Sequence, residues 1–313
     1  MTKTVDHDDI YNPNLVNHAK KAPAHHSSAS EHFQGSFPLF VNRYYEGFEL
    51  REHDHEYLEI VYVMSGEGYH YVGEHMERAS KGCLYILPIG TSHILRPRDA
   101  SSKNSLMVYN LCIRTEFVSE LQRWLSPYST TAELWSIFEG KPGCHVMVQD
   151  KSMKFSRSFE QLHREFEEKQ PGYEASMFSI LLQLAVQLGR QLNQRANNNS
   201  EAKPSEARRS DMDTVVDYIN QHIADAMTLN QLAKDIGVSR RHFIRLFQQR
   251  IGMGFSEYLQ HKRMELACQL LMETDDKIDT IAKSTGYRDI THFRRVFRKL
   301  MGTSPSHYRK SID

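Results

Sequence analysis

Four residues of the N-terminal half have the types and spacing to do chemistry together. His53, His55 and Glu59 follow one another as His-x-His-x3-Glu, and His93 closes a later run, Gly82-x5-Pro88-x-Gly90-x2-His93. On an extended strand, side chains two residues apart point to one side, so His53, His55 and Glu59 share a face. His93 would reach that face from a neighbouring strand. Three imidazoles and a carboxylate suit a divalent cation. The same groups could instead hydrogen-bond a small polyol or sugar without metal, or satisfy one another inside a barrel, and the residues alone leave all three readings open. Arg43, on an earlier strand, is a candidate for a ligand carboxylate or hydroxyl. Tyr69, with Tyr62, Tyr71 and Tyr85, could stack on sugar C–H faces or simply fill a core.

The elements that must carry these residues are short strands. Between Phe37 and Ile113, runs such as LEIVYVM, YHYV, CLYIL and LMVYNLCI alternate with glycine-containing breaks, the pattern of antiparallel strands. Helical periodicity takes over after residue 116. One amphipathic stretch covers about Ser152–Lys169 and stops at Pro171-Gly172. Another covers about Tyr173–Gln194, with Phe178, Leu181, Leu182, Ala185 and Leu188 as its apolar stripe. That stripe could pack within the chain or face a second copy. Residues 1–35 are polar and read as a flexible arm, and 196–210 have the composition of a linker.

The last hundred residues contain a duplication with a period near 50. His242-Phe243, Leu246-Phe247 and Gly252 return as His292-Phe293, Val296-Phe297 and Gly302. Each copy predicts a short helix (229–235, 278–284), a glycine turn, a polar N-cap (Ser239, Asp289) and a second helix whose phenylalanines form a buried stripe. Arg240, Arg241, Ile244 and Arg245 project from the other side of the first of these helices, and Thr291, Arg294 and Arg295 from that of the second. An arginine fork can pair with guanine or clamp a phosphate, and an isoleucine can meet a thymine methyl. The helix predicted between the copies, 18–20 residues, is roughly 27–30 Å long. That nearly matches the rise of one B-DNA turn, about 34 Å.

Composition narrows the function classes. The 313 residues carry 39 Lys+Arg and 39 Asp+Glu, which excludes holding nucleic acid by bulk charge. Charge is focused instead: Ser239–Arg250 has four arginines and no acid. No apolar run is long enough to cross a membrane, since Gln183 and Gln187 break the longest. The opening MTKTVDHDD lacks a secretory leader, and Cys83, Cys112, Cys144 and Cys268 form no CxxC pair, so a cytoplasmic protein with reduced thiols is expected.

The segment from Gly47 to His93 resembles both halves of the cupin signature, departing where Pro97 occupies the usual asparagine position. LAKDIGVSRRHFIRLFQQRIGMGFSEYLQHKRMELACQLL followed by IAKSTGYRDITHFRRVFRKLMGTSPSHYR closely resembles the DNA-binding domain of the AraC/XylS transcription regulators, over about residues 212–309. The two resemblances imply an α+β chain. Its expected parts are an arm (1–35), a cupin-like sensing and dimerisation domain with a helical pair (36–195), a linker (196–210) and a double helix-turn-helix domain (211–313). They imply a homodimeric regulator, an activator responsive to a sugar or related metabolite, with promoter DNA and RNA polymerase as partners and no catalysis. Base contacts would fall to Arg240, Arg241, Ile244, Arg245, Thr291, Arg294 and Arg295. Ligand contacts would fall to Arg43, His53, His55, Glu59, Tyr69 and His93. No cofactor is expected; a divalent metal on His53, His55, Glu59 and His93 is the alternative. The rival from another class is a metal-dependent cupin enzyme acting on a sugar, with the helical region as accessory.

Overall fold

The structure, a computed structural model, describes residues 25–33, 35–48, 52–73, 75–99, 105–125, 127–128, 138, 145–200 and 206–310. Within them the N-terminal domain has β1 (His25–Ser27), α1 (Ala29–His32), β2 (Leu39–Glu46), β3 (His53–His55), β4 (Leu58–Ser65), β5 (Glu67–Val72), β6 (His75–Ser80), β7 (Cys83–Leu87), β8 (His93–Pro97), β9 (Leu106–Ile113), α2 (Thr115–Leu125), β10 (Val146–Gln149), α3 (Ser156–Glu168) and α4 (Tyr173–Ser200). The helical domain follows with α5 (Glu206–Gln221), α6 (Leu229–Asp235), α7 (Arg240–Ile251), α8 (Phe255–Glu273), α9 (Ile278–Ser284), α10 (Ile290–Met301) and α11 (Pro305–Lys310). The class is α+β.

Two five-stranded sheets, ordered β1-β3-β8-β5-β6 and β10-β7-β4-β9-β2, face each other. Between them lies a core of Val61, Val63, Val72, Tyr85, Leu87, Leu95, Leu106 and Val108. The far face of the second sheet (Leu39, Val41, Ile60, Tyr62, Leu84, Ile86, Leu111) packs on α3 and α4 through Phe155, Phe159, Leu181, Leu184 and Leu188. β4 and β7 are therefore covered on both faces, which is why LEIVYV and CLYIL read as unbroken apolar runs rather than alternations. Leu181, Ala185 and Leu188 of the helical stripe are at most 1% exposed against this domain's own core.

Two expectations change, on the arm and on the linker. The N-terminal arm is ordered at its far end. β1 pairs in parallel with β3, His26 bonds Asp54 at 2.5 Å and Glu56 at 3.2 Å, and Phe33 is buried edge-on to Tyr57; residues 1–24 lie outside the described residues. The linker is shorter than 196–210, because α4 runs to Ser200 and α5 begins at Glu206. No glycine or proline interrupts 190–200, and the first proline comes only at position 204. Cys83, Cys112 and Cys268 are free and buried, while Cys144 lies outside the described residues.

The helical domain has two cores. α5, α7 and the start of α8 form one around Phe243, Phe247 and Tyr258, and α9, α10 and α11 form the other around Phe293, Phe297 and Tyr308. Arg263 of α8 ties the halves together, donating to the carbonyls of Ile223, Asp225 and Gly286 at 2.9, 2.8 and 3.2 Å. Gly286 must be glycine. Its φ is +81°, and a Cβ there would sit 2.6 Å from the Ala224 carbonyl oxygen.

The first of these cores continues onto the barrel. Tyr69, Tyr71, Met76 and Ile94 on the outer face of the first sheet belong to the same apolar cluster as Phe247, Ile251, Met253 and Phe255. Polar contacts fix the seat: Tyr69 Oη donates to Glu257 at 2.6 Å, and the His261 ring lies 3.9 Å from the Tyr69 ring, with its Nδ1 3.4 Å from Tyr71 Oη. Burial, with the Lys299 charge adding to it, pushes His261 down to about 3. A histidine held neutral by docking supports docking fully above its free value and less as pH falls through it. The other charged or titratable groups around this seat are Arg96, Glu257, Lys262, Glu265, Lys299 and the two tyrosines. With a free value near 6.5, docking should weaken by about 1.4 kcal/mol at pH 5.5. Small-angle scattering should show a larger radius of gyration at pH 5.5 than at pH 7.5 in wild type and not in His261→Phe; a pH-independent wild-type profile would contradict this.

Candidate functional site

The barrel brings the histidine cluster together. His53 pairs across β3 and β8 with His93, and Glu59 projects inward from β4 on the same side as Val61 and Val63. His55, Glu59 and His93 are 0%, 5% and 3% exposed, so each polar atom must find a partner inside the protein. Glu59 Oε2 lies 3.1 Å from His93 Nε2 and 3.6 Å from His55 Nε2, and the His53 and His93 ring centroids are 4.5 Å apart.

The proton positions are constrained. His55 Nδ1 is 2.6 Å from the Tyr57 carbonyl oxygen, which can only accept, so Nδ1 carries the hydrogen. In the neutral ring Nε2 is then a lone pair aimed at a carboxylate. Burial pushes His93 down to about 3, against the upward pull of Glu59, so this imidazole is also neutral at physiological pH. Burial acts upward on the Glu59 carboxyl, but the His93 imidazole 3.1 Å away and the other neighbouring imidazoles outweigh it and keep the group ionised. A buried carboxylate is thus left beside the neutral His93 ring. His55 Nε2, Glu59 Oε2 and His93 Nε2 are all buried without a hydrogen-bond partner among the described residues.

A divalent cation fits a neighbouring set instead: one donor atom each of His53, Glu59 and His93 lies within 4.8 Å of the others, and His55 stands outside it. Metal–ligand bonds of about 2.0–2.1 Å in tetrahedral geometry put ligand atoms about 3.3 Å apart, and the 3.1 Å between Glu59 Oε2 and His93 Nε2 is close to that separation. The Tyr57 carbonyl fixes the His55 ring beside this set. Beside His55 opens a cleft of about 400 Å³ lined by His26, Asp54, Glu56, Tyr57, Ile89, Arg114 and Thr115. With Glu116 it offers an arginine, three carboxylates and the Thr115 hydroxyl to a small polar molecule.

Two expected ligand residues are elsewhere. Arg43 is exposed on β2 in the alternation set of Leu39 and Val41, the face that packs on α3, so it cannot reach the cluster. Tyr69 faces outward to Glu257 and His261, because on β5 the inward positions are Gly68, His70 and Val72. Tyr62 stacks on Phe159 of α3 at 5.0 Å and Tyr71 joins the domain seat; of the four tyrosines only Tyr85 belongs to the core between the sheets. Arg114 of the cleft was not singled out from sequence, where it is a lone arginine after a strand.

The second candidate surface is on the helical domain. Ser239 Oγ accepts from the His242 N–H at 3.2 Å and Asp289 Oδ1 from the Thr291 N–H at 2.7 Å, so both second helices start at the expected caps. Both end on glycines with positive φ, Gly252 at 81° and Gly302 at 71°. Phe243, Phe247, Phe293 and Phe297 are at most 1% exposed. Arg240, Arg241, Ile244, Arg245, Thr291, Arg294 and Arg295 are all exposed. The six arginines 240, 241, 245, 294, 295 and 298 form no ion pair among the described residues, whereas Arg250 is held by Asp213 at 2.6 Å. Arg294, Arg295, Arg298 and Lys299 line a groove completed by Ser304 and Ser306, hydroxyls that sequence reasoning passed over. α8, with 19 residues, is about 28 Å long.

Residues 40–185 match the family described as AraC-like ligand binding domain, and residues 232–311 the one described as helix-turn-helix domain. The chain is 38% identical over 98 residues to YijO of Escherichia coli, an uncharacterized HTH-type transcriptional regulator, covering 31% of this chain and 35% of that one. It is 35% identical over 99 residues to the lactose operon transcription activator of Staphylococcus xylosus, covering 32% and 36%. These two matches span about a third of each relative's own length. A longer one, 24% identical and covering 90% of each chain, is with the HTH-type transcriptional activator RhaS of Escherichia fergusonii. Among the described residues no helix is long and apolar enough to cross a membrane.

Proposed function

Because the chain belongs to the AraC family of transcriptional regulators, we propose that it activates transcription by placing α7 and α10 in two successive major-groove segments of promoter DNA, under the control of a small polar effector bound by the barrel. The observation that carries this is the pairing of buried phenylalanines with exposed, unpaired arginines on two capped helices joined by a 19-residue helix. Arg240, Arg241, Ile244, Arg245, Thr291, Arg294 and Arg295 read the bases, while Arg298, Lys299, Ser304 and Ser306 hold phosphates. Two chains act together as a homodimer on paired half-sites in the cytoplasm, and the DNA-bound form contacts RNA polymerase.

The effector is a sugar or sugar acid. Arg114, Asp54 and Glu56 beside the His55 cleft supply the mixed charges that hydroxyl and carboxylate groups require, and one relative bears the name of a lactose operon activator. His53, Glu59 and His93 would hold a divalent cation; when bound, it would give such a ligand a Lewis-acidic point of attachment. The barrel serves sensing rather than turnover, in keeping with relatives named as regulators.

The test is selection of duplexes from a randomised pool by the full-length protein. Footprints should show two protected major-groove segments about 10–10.5 base pairs apart. A thermal-shift screen of sugars and sugar acids should yield a ligand that also changes operator affinity. Enrichment of no sequence over random DNA would overturn the reading.

A further inference from the structure

A second cluster of metal-type donors lies in the same barrel, outside the histidine motif. His70 on β5 points inward and is fully buried, and its Nδ1 lies 3.5 Å from Glu77 Oε1 on β6. His145, next to β10, brings Nε2 to within 2.5 Å of the same oxygen. One ligand atom from each of the three residues falls within 4.8 Å of the others. His70 Nδ1 is buried with no hydrogen-bond partner among the described residues, although a carboxylate faces it.

We propose that His70, Glu77 and His145 form a binding site for a divalent first-row transition metal, separate from the cluster around Glu59. Two imidazoles and one carboxylate are the donors such ions prefer over calcium or magnesium. The 3.5 Å between His70 and Glu77 already matches the ligand separation of about 3.3 Å in a tetrahedral site. His145 has to move out by less than an ångström from its hydrogen bond to Glu77, and it is partly exposed at the end of a strand, where such a shift costs little.

The position of this site ties it to the sensor cluster. His70 Nε2 is 3.2 Å from His93 Nδ1, so the two neutral rings share a single hydrogen. A cation on His70 Nδ1 places that hydrogen on His70 Nε2, which donates to His93. His93 then carries its own hydrogen on Nε2, 3.1 Å from Glu59 Oε2. Metal at the second site therefore turns His93 into a donor toward Glu59 and takes its Nε2 away as a ligand for a cation beside Glu59. This consequence rests on the sensing role proposed for that cluster; the site itself does not.

The probe is Zn(II) alone, titrated against a chromophoric chelator into the metal-stripped full-length protein. His145→Ala and Glu77→Gln should each weaken one zinc by at least about tenfold, and His53→Ala should leave that zinc in place. Co(II) substitution gives a second readout: ligand-field absorption that His145→Ala removes and His53→Ala keeps. Circular dichroism in excess chelator checks that each variant is folded, and His145→Cys, which restores a donor, should recover binding in case alanine disturbs the strand end. Zinc and cobalt signals unchanged in folded His145→Ala, or lost entirely in His53→Ala, would overturn the site. A His53→Ala protein indistinguishable from wild type would count against a cation at the motif cluster while leaving this site standing.

Discussion

Alanine at both Arg245 and Arg295 should abolish operator binding at protein concentrations that saturate it with the wild-type chain. Each side chain is exposed, without an ion pair among the described residues, on the non-core side of its helix. A bidentate arginine–guanine contact is worth about 1–3 kcal/mol of discrimination. The two residues sit on separate helices with separate cores, so their losses should add. The double variant should lose about 2–6 kcal/mol, roughly 30-fold to above ten-thousand-fold in affinity. Binding to random duplexes should fall far less, because sequence-independent contacts follow the phosphates. Fold stability should change by less than about 0.5 kcal/mol, as expected for exposed positions. Lys299→Ala is the contrasting variant: withdrawing its ammonium from a phosphate lowers affinity for all sequences and flattens the salt dependence by about one charge. Electrophoretic mobility shifts on operator and scrambled DNA separate the cases. If the double variant kept its preference for operator, α7 and α10 would not be the reading helices.

The helical half was legible in sequence because its determinants are local. Ser239 and Asp289 cap helices that begin one residue later, and a duplicated period of phenylalanines fixes which side is buried. The barrel was legible in outline for a related reason: strands covered on both faces leave continuous apolar runs. The direction of individual side chains was harder. Arg43 and Tyr69 lie on correctly placed strands but point away from the cluster, because the frame of alternation is set by which sheet face meets α3 or α8. Sequence alone does not encode those layers. His70, Glu77 and His145 escaped notice because they meet only through the pairing of β5 with β6 and the return of the chain at β10. Their spacing in sequence, 7 and 68 residues, matches no motif.

Phe297→Ala should cost the second half of the helical domain about 3–5 kcal/mol, the usual loss for a fully buried aromatic truncated to a methyl group. Phe297 is 0% exposed, with ring centroids 5.8 Å from Phe293 and 5.6 Å from Tyr308, and it belongs to the core that holds α9, α10 and α11 together. A typical domain has only about 5–15 kcal/mol in total, so the variant approaches the threshold of folding. The barrel cores share none of these residues and only Phe48 of that domain packs against them, so barrel unfolding should shift far less. Urea denaturation followed by far-ultraviolet circular dichroism should show the helical transition moving down by about 1–5 M, given slopes of about 1–3 kcal/mol per molar. Binding that depends only on the barrel should survive, while operator affinity falls with the population of folded α10. Phe297→Leu, which keeps most of the volume, should restore much of the stability and the DNA binding together. Recovery of stability without recovery of binding would mean that α10 contributes to the fold but not to recognition, and that the second groove segment is read by another element.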